Sequence, residues 1–206
     1  FAVPGFATAG TAVPRFSTEQ YGGVTRVVID KAQLMKELAA GNTNESQCVK
    51  DSRWVLAGTA KNCSGGVMSG GWVTCEESSD AGHGYALLTK PTDDKLMNPR
   101  PIRGWGRMHR EGVCLDPQTG VVYMTEDRED GCFYRHVPDR VSQPMSTGRV
   151  EAMVVEGCTT LDPYPYPEPG KKPPAPKWKN GTEFRVTWKE ISDPQAREET
   201  CRSQGA

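Results

Sequence analysis

The chain has 206 residues and a mass of 22.6 kDa, which limits it to one domain or two small ones. Its 25 basic and 26 acidic residues give a net charge of −1, which argues against a general nucleic-acid-binding protein. No apolar run approaches the roughly 18 residues of a transmembrane segment, and no charged-then-apolar leader follows Phe1. The 22 glycines and 16 prolines predict a fold rich in turns.

The first half of the chain contains one clear helix among short strands. Residues 1–16 are small, punctuated by proline and aperiodic, and we expect an extended N-terminal arm. The β-branched run Gly23–Asp30 predicts a strand, and Lys31–Ala40, which ends before Gly41, predicts a helix. Further extended segments follow at Arg53–Thr59, in the glycine-rich stretch Asn62–Glu77, and at Gly84–Thr89.

The second half carries the strongest local pattern, a hairpin. Gly112–Asp116 and Val121–Glu126 flank a turn that begins with proline and ends with glycine, and Gly131–Val137 extends the hairpin to a three-stranded meander. Later strands are expected at Val150–Glu156 and Phe184–Ile191, separated by a proline-rich exposed loop at 162–176. This pattern predicts a mostly-β protein, and it leaves sandwich, barrel and propeller open.

Seven cysteines are many for a cytosolic protein of this size, and none of them forms a CxxC pair. We therefore expect an oxidising compartment (periplasm, secreted space or organelle lumen, for example the thylakoid lumen) and up to three disulfides. One thiol would then remain, and metal ligation would account for it. Three N-x-[ST] sequons, at Asn44, Asn62 and Asn180, permit a secretory route.

The cluster Thr74-Cys75-Glu76-Glu77 lies at the end of an expected strand. Strand alternation places Cys75 and Glu77 on one face and Glu76 on the other, so a thiolate and a carboxylate could bind a metal together. The alternative is a half-buried cysteine followed by a solvated acidic turn, which spacing alone favours.

Two further charged clusters follow. Arg107-Met108-His109-Arg110-Glu111 combines arginines that suit phosphate oxygens with a carboxylate that suits cations. Residues 125–130, which include Glu126 and Asp127, are acidic but lack the spacing of a calcium-binding loop. For residues 107–111 the alternative interpretation is a surface cluster of ion pairs. For residues 125–130 it is a solvated turn.

Several ordered motifs resemble the PhoX-type alkaline phosphatases. The family pattern N-C-A-G-G, T-W-L-T-C-E-E and G-R-F-x-H-E-A-V-A-V-D-P is similar to the segments at 62–66, 71–77 and 106–117. The pattern T-G-x-V-Y-x-T-E-D followed by F-Y-R-F is similar to 119–127 and 133–135. The tail, FRVTWKEISDP followed by TCRSQGA, also looks like the family, so the resemblance covers roughly Tyr21 to Ala206.

The resemblance implies that residues 17–206 form part of a six-bladed β-propeller whose central site holds iron and calcium ions and hydrolyses phosphate monoesters. Cys75 and Glu111 correspond to iron ligands of the family. The candidates for further iron or calcium ligands are Glu76, Glu77, Glu126 and Asp127. Arg107 and Arg110 are the cations that could contact the phosphate.

Arg110 stands where the family has the histidine of its H-E pair, and the turn before Trp72 is shortened. The chain ends about where the family continues into F-S-R-x-E-G, which carries another glutamate ligand and the phosphate-binding arginine. We therefore expect either a fragment of a metallophosphatase or a divergent relative. The alternative is a non-catalytic propeller-derived accessory subunit, docked through open strand edges on a larger, possibly membrane-bound, assembly. A carbohydrate-binding propeller is the more distant possibility.

Overall fold

In the computed structural model, the residues that can be described are 22–42, 45–68, 70–128, 131–157, 179, 181–196 and 199–205. The expected N-terminal arm and the proline-rich loop at 162–176 lie outside these residues, as does Cys158. No helix in these described ranges is long and apolar enough to span a membrane.

Ten strands and one α-helix make up the described chain, with short 3₁₀ turns at Glu45–Cys48 and Arg103–Trp105. Their bounds are β1 Gly22–Ile29, α1 Lys31–Ala39, β2 Val49–Thr59, β3 Asn62–Met68, β4 Gly71–Glu76, β5 Ala86–Thr89, β6 Arg110–Leu115, β7 Val122–Glu126, β8 Phe133–Pro138, β9 Gly148–Val155 and β10 Val186–Glu190.

The helix and the meander form where the sequence predicts them. Asp30 caps α1, because its side chain accepts a hydrogen bond from the Gln33 N–H at 3.1 Å, and Gly41 follows the helix with a φ of +73°. The turn between β6 and β7 is closed by the Gly120 N–H, which donates to the Asp116 carbonyl at 2.8 Å. β8 pairs with β7 in antiparallel register, as expected.

The strands form three antiparallel sheets, and each sheet is open. β1 pairs with β2, β3–β4–β5 form a second sheet, and the third has the order β10–β9–β8–β7–β6. The glycine-rich run at the start of 62–77 is itself a strand, β3, which pairs with β4. The mostly-β prediction is confirmed, whereas the propeller is not: the sheets have two, three and five strands rather than four each.

One hydrophobic core joins the second and third sheets. Val73 and Cys75 from the second sheet pack in the same cluster as Met124 and Tyr134 from the third. Trp105, which is fully buried, lies in this cluster, and its indole N–H donates to the Pro144 carbonyl at 2.8 Å. The core therefore fixes the ends of β4 and β6 next to each other, which positions the candidate site.

Glycine is required where β3 meets β6. A Cβ atom on Gly66 would lie 2.1 Å from the Val113 carbonyl oxygen, which belongs to the backbone and cannot turn away. We expect Gly66→Ala to lower the free energy of unfolding by about 2–3 kcal/mol in denaturant titration, because the two strands must separate. Gly112→Ala is the matched control, since its Cβ would meet only the Thr125 side chain, at 3.3 Å. Equal losses in the two variants would contradict this reasoning.

Candidate functional site at the junction of two sheets

The end of β4 brings Cys75 next to Cys63 of β3. The pairs Asn62–Glu76 and Gly65–Thr74 bracket these two cysteines, and the register shifts between them. Cys75 is fully buried, whereas Cys63 is exposed and its thiol is hydrogen-bonded to the Glu77 carboxylate. Cys75 and Glu77 thus both neighbour Cys63, as strand alternation predicts.

Burial raises the pKa of the Cys75 thiol to about 11. The positive charge of Arg110 works in the opposite direction, and Cys63 and Glu111 add to the rise. The pKa of Cys63 is also raised: its hydrogen bond with the Ser64 backbone lowers it, but desolvation, Glu77 and Glu111 outweigh that effect. Both side chains are therefore protonated thiols at neutral pH unless a cation binds them.

Glu111, at the start of β6, belongs with Cys63, Cys75 and Glu77, because its negative charge contributes to the raised pKa of both cysteines. His109 lies beside it: its Nδ1 is 3.6 Å from the Glu77 carboxylate and, in the described structure, has no hydrogen-bond partner. We call Cys63, Cys75, Glu77 and Glu111 the junction cluster. It contains three of the six predicted metal ligands.

Glu76 points to the other side of β4 and has structural partners. Its Oε1 accepts hydrogen bonds from the Ala60 N–H and the His83 ring, each at 2.9 Å, and its Oε2 accepts one from the Tyr85 N–H at 3.0 Å. The side chain is only 4% exposed. The structure therefore uses this carboxylate to hold neighbouring segments together and does not bring it to the junction cluster.

Glu126 and Asp127 also lie apart from the junction cluster. The Glu126 side chain is 2% exposed, and its Oε2 accepts hydrogen bonds from the Cys132 N–H at 3.1 Å and the Tyr134 hydroxyl at 3.3 Å. Arg202 is 3.7 Å from the same oxygen. Asp127 is exposed, and its N–H donates to the His109 carbonyl.

Arg107, predicted to contact phosphate, is fully buried, and its guanidinium donates only to backbone carbonyls. Its Nε donates to His83 at 2.7 Å, its Nη1 to Glu199 at 3.2 Å, and its Nη2 to Ser79 at 3.1 Å and Asp80 at 2.6 Å. The side chain thereby ties the loop after Glu77 to the C-terminal segment. No donor of this guanidinium faces solvent in the described structure, and the catalytic role expected for Arg107 stays a prediction.

Arg110 is fully buried as well. Its Nη2 donates to the Trp105 and Gly106 carbonyls at 3.1 and 2.8 Å, its Nη1 contacts the Met124 sulfur, and its Nε has no partner in the described structure. Burial lowers the pKa of the guanidinium, while the nearby Cys75, Cys201, Tyr134 and Glu126 oppose that shift. Arg110 thus places positive charge beside Cys75, and the catalytic role expected for it stays a prediction.

The donor types of the junction cluster suit a transition metal, since thiolates and carboxylates both bind iron. The orphaned Nδ1 of His109 adds an imidazole donor at its edge. However, within the described ranges no three His, Cys, Asp or Glu side chains converge closely enough to hold a metal ion. Cys75 and Glu111, with Glu77 and Cys63 beside them, are the residues that would hold one.

Cys63 belongs to the motif at 62–66, and its place beside Cys75 does not follow from that motif. The signal that could have found it is the pairing of β3 with β4, because this hairpin brings Asn62 opposite Glu76. The register shifts between Asn62 and Gly65, so the partner of Cys63 could not be derived from residue numbers alone.

The expected disulfides are not confirmed. Five of the cysteines are present as thiols, namely Cys63, Cys75, Cys114, Cys132 and Cys201. The Asn62 sequon lies within β3, where its amide donates to the Thr74 hydroxyl at 2.9 Å, so this side chain is poorly placed for glycosylation. The sequons at Asn44 and Asn180 lie outside the described residues. The oxidising compartment, which rested on the disulfides, stays a prediction.

Comparison with known proteins agrees with the motifs. No curated protein and no solved structure matches the chain. The model of one family, described as alkaline phosphatase PhoX, matches residues 14–206. Because this match spans nearly the whole chain and includes every residue of the junction cluster, the chain belongs to the PhoX alkaline phosphatase family.

Proposed function

We propose that this protein is a metal-dependent phosphatase acting on phosphate monoesters, and that the junction cluster is part of its reaction site. The family match over residues 14–206 is the observation that carries the proposal. The position of Cys75 and Glu111 within that match supports it, because the resemblance assigns iron ligation to these two residues and the charge of Glu111 acts on the Cys75 thiol.

Hydrolysis of a phosphate monoester requires positive charge beside the phosphoryl oxygens. The two predicted arginines, Arg107 and Arg110, are buried and donate to backbone carbonyls, so the proposal takes this charge from bound metal ions. Bound iron and calcium would provide that charge, and this part of the proposal rests on the resemblance. The protein's own contribution is to hold the two thiols and two carboxylates of the junction cluster at the rigid ends of paired strands.

Metal analysis tests the proposal. We expect the purified protein to bind iron and calcium, and Cys75→Ala to lose most of the iron, because a buried thiol at the cluster is removed. Elemental analysis by plasma mass spectrometry measures both metals. Cys114→Ala is the matched control, since Cys114 is an exposed thiol outside the junction cluster. Absence of both metals from carefully prepared protein would overturn the metallophosphatase proposal.

Turnover by the 206-residue chain alone should be low. We expect it to hydrolyse p-nitrophenyl phosphate no faster than Glu111→Ala. Neither Arg107 nor Arg110 faces solvent, so neither offers a charged donor to the phosphate. The lack of one such donor costs about 10²–10³ in rate. Glu190→Ala, at an exposed position on β10, is the control for unspecific effects. Metal-dependent turnover that is retained in Glu190→Ala and lost in Glu111→Ala would contradict this expectation and give the chain full enzymatic competence.

A second candidate function is a non-catalytic accessory subunit derived from the same family. The observation that favours it is that Arg107, Glu76 and Glu126 all form hydrogen bonds within the fold. Under this alternative the charged residues stabilise the fold, and the open sheets provide the contacts to a protein partner. Failure to bind iron and calcium would favour this candidate over the first.

A further inference from the structure

β1 is an edge strand with an unpaired side. It forms a two-stranded sheet with β2, and among the described residues no other strand pairs with it. A two-stranded sheet is marginally stable in water unless further strands or a helix cover it. α1, which follows directly, does not provide that cover, because none of its residues is buried.

A groove with a volume of about 600 Å³ runs beside β1. Its lining contains the six consecutive residues Val24–Ile29, together with Val55 of β2 and with Trp72, Thr89, Lys90 and Pro91. Successive side chains of a strand point to opposite faces. A groove lined by six consecutive residues therefore follows the backbone of β1 along its length, and Val55 extends the lining onto the neighbouring strand.

The charge of the groove has one sign. Among the described residues that line it, Arg26 and Lys90 are the charged ones, and most of the others are apolar. The Arg26 Nε donates to the Pro91 carbonyl at 2.7 Å, and its Nη1 is 3.5 Å from the carboxylate of Asp51, which lies outside the groove lining. Val27 and Ile29 are 49% and 52% exposed, which leaves apolar surface beside the unpaired backbone.

We propose that this groove binds an extended peptide segment of a protein partner, in which apolar and acidic residues alternate. The segment adds as a third strand to β1, with its main chain satisfying the open edge. Its apolar side chains cover Val27 and Ile29, and its carboxylates pair with Arg26 and Lys90.

The test uses two fluorescein-labelled eight-residue peptides, one alternating valine with glutamate and the other alternating valine with lysine. We expect fluorescence anisotropy to show binding of the glutamate peptide at least about tenfold tighter than that of the lysine peptide. Arg26→Glu and Lys90→Glu should each abolish this preference, because one charge reversal leaves two lining charges of opposite sign. Lys31→Glu, at an exposed position on α1 outside the groove, should leave it unchanged. Hydrogen exchange of the amides at 24–29 should slow when the glutamate peptide is present.

Lys90→Glu keeps the test valid if Arg26→Glu does not fold, because Lys90 is exposed. Three results would overturn the proposal: no binding of either peptide, equal binding of both, or protection of amides elsewhere in the chain. A fourth would be protection of 24–29 that rises with protein concentration in the absence of peptide. In that case the occupant of the groove is a second copy of this chain.

Discussion

Arg107→Met is expected to lower the free energy of unfolding by about 3 kcal/mol, the upper end of what hydrogen bonds made by a charged group contribute. The reason is the set of four carbonyl acceptors around its guanidinium, on Ser79, Asp80, His83 and Glu199. Methionine fills a similar volume but donates no hydrogen bond, so the four carbonyls lose this donor, and the Asp80 carbonyl keeps only the His83 N–H. Urea titration followed by tryptophan fluorescence measures the loss.

Arg110→Met is the matched control, since both arginines are fully buried. Arg110 donates to two carbonyls, and its Nε is unsatisfied, so part of its burial cost is not compensated. We expect a loss of about 1–2 kcal/mol or less, because replacing an imperfectly paired buried charge by an apolar side chain is often near neutral. Equal losses of unfolding free energy in Arg110→Met and Arg107→Met would contradict this reasoning. They would show that the number of hydrogen bonds made by each guanidinium does not determine its contribution to stability.

Acidification should destabilise the protein through His136. This side chain is fully buried, neither ring nitrogen has a hydrogen-bond partner in the described structure, and burial lowers its pKa to about 4 from an ordinary value of 6.5. The unfolded chain therefore binds the proton more readily than the folded one. The resulting stability is fully present above pH 6.5 and is lost as the pH falls toward 4, by about 3 kcal/mol in total.

The measurement is the free energy of unfolding between pH 4 and 7 for the wild type and for His136→Leu. Leucine has a similar size and does not titrate, so the difference between the two pH profiles isolates the imidazole from the carboxylates that titrate in the same range. We expect the variant to have the flatter profile. Parallel profiles would show that His136 has the same pKa in the folded and unfolded states.

Local elements were predictable because their determinants are local. The hairpin around Pro117–Gly120 needs only a proline, a glycine and flanking β-branched residues, and α1 needs only its cap at Asp30 and its stop at Gly41. The pairing of the strands into sheets of two, three and five was not predictable in this way, since it depends on the packing of segments far apart in sequence.

The same limit applies to the site. Strand alternation separates Cys75 and Glu77 from Glu76, and the structure agrees with this. The sequence could not show that Glu76 accepts backbone hydrogen bonds from Ala60 and Tyr85. Nor could it show that the Arg107 guanidinium reaches Glu199, 92 positions along the chain. The sequence alone does not show whether a charged residue in a functional motif contacts a substrate or a backbone carbonyl from a distant segment.

The core described above contains no residue of β1, α1 or β2. Cooperative unfolding requires shared buried contacts, and no residue of β1 or α1 is buried, so these two elements can open as a unit. β2 stays anchored to the other sheets through its buried Val55 and Leu56, and the Met97 N–H donates to the Val55 carbonyl. A protease that cuts in the opened segment would release it and leave a compact remainder that still carries Cys63, Cys75, Glu77 and Glu111. The N-terminal segment and the candidate site can therefore diverge in evolution with little effect on each other.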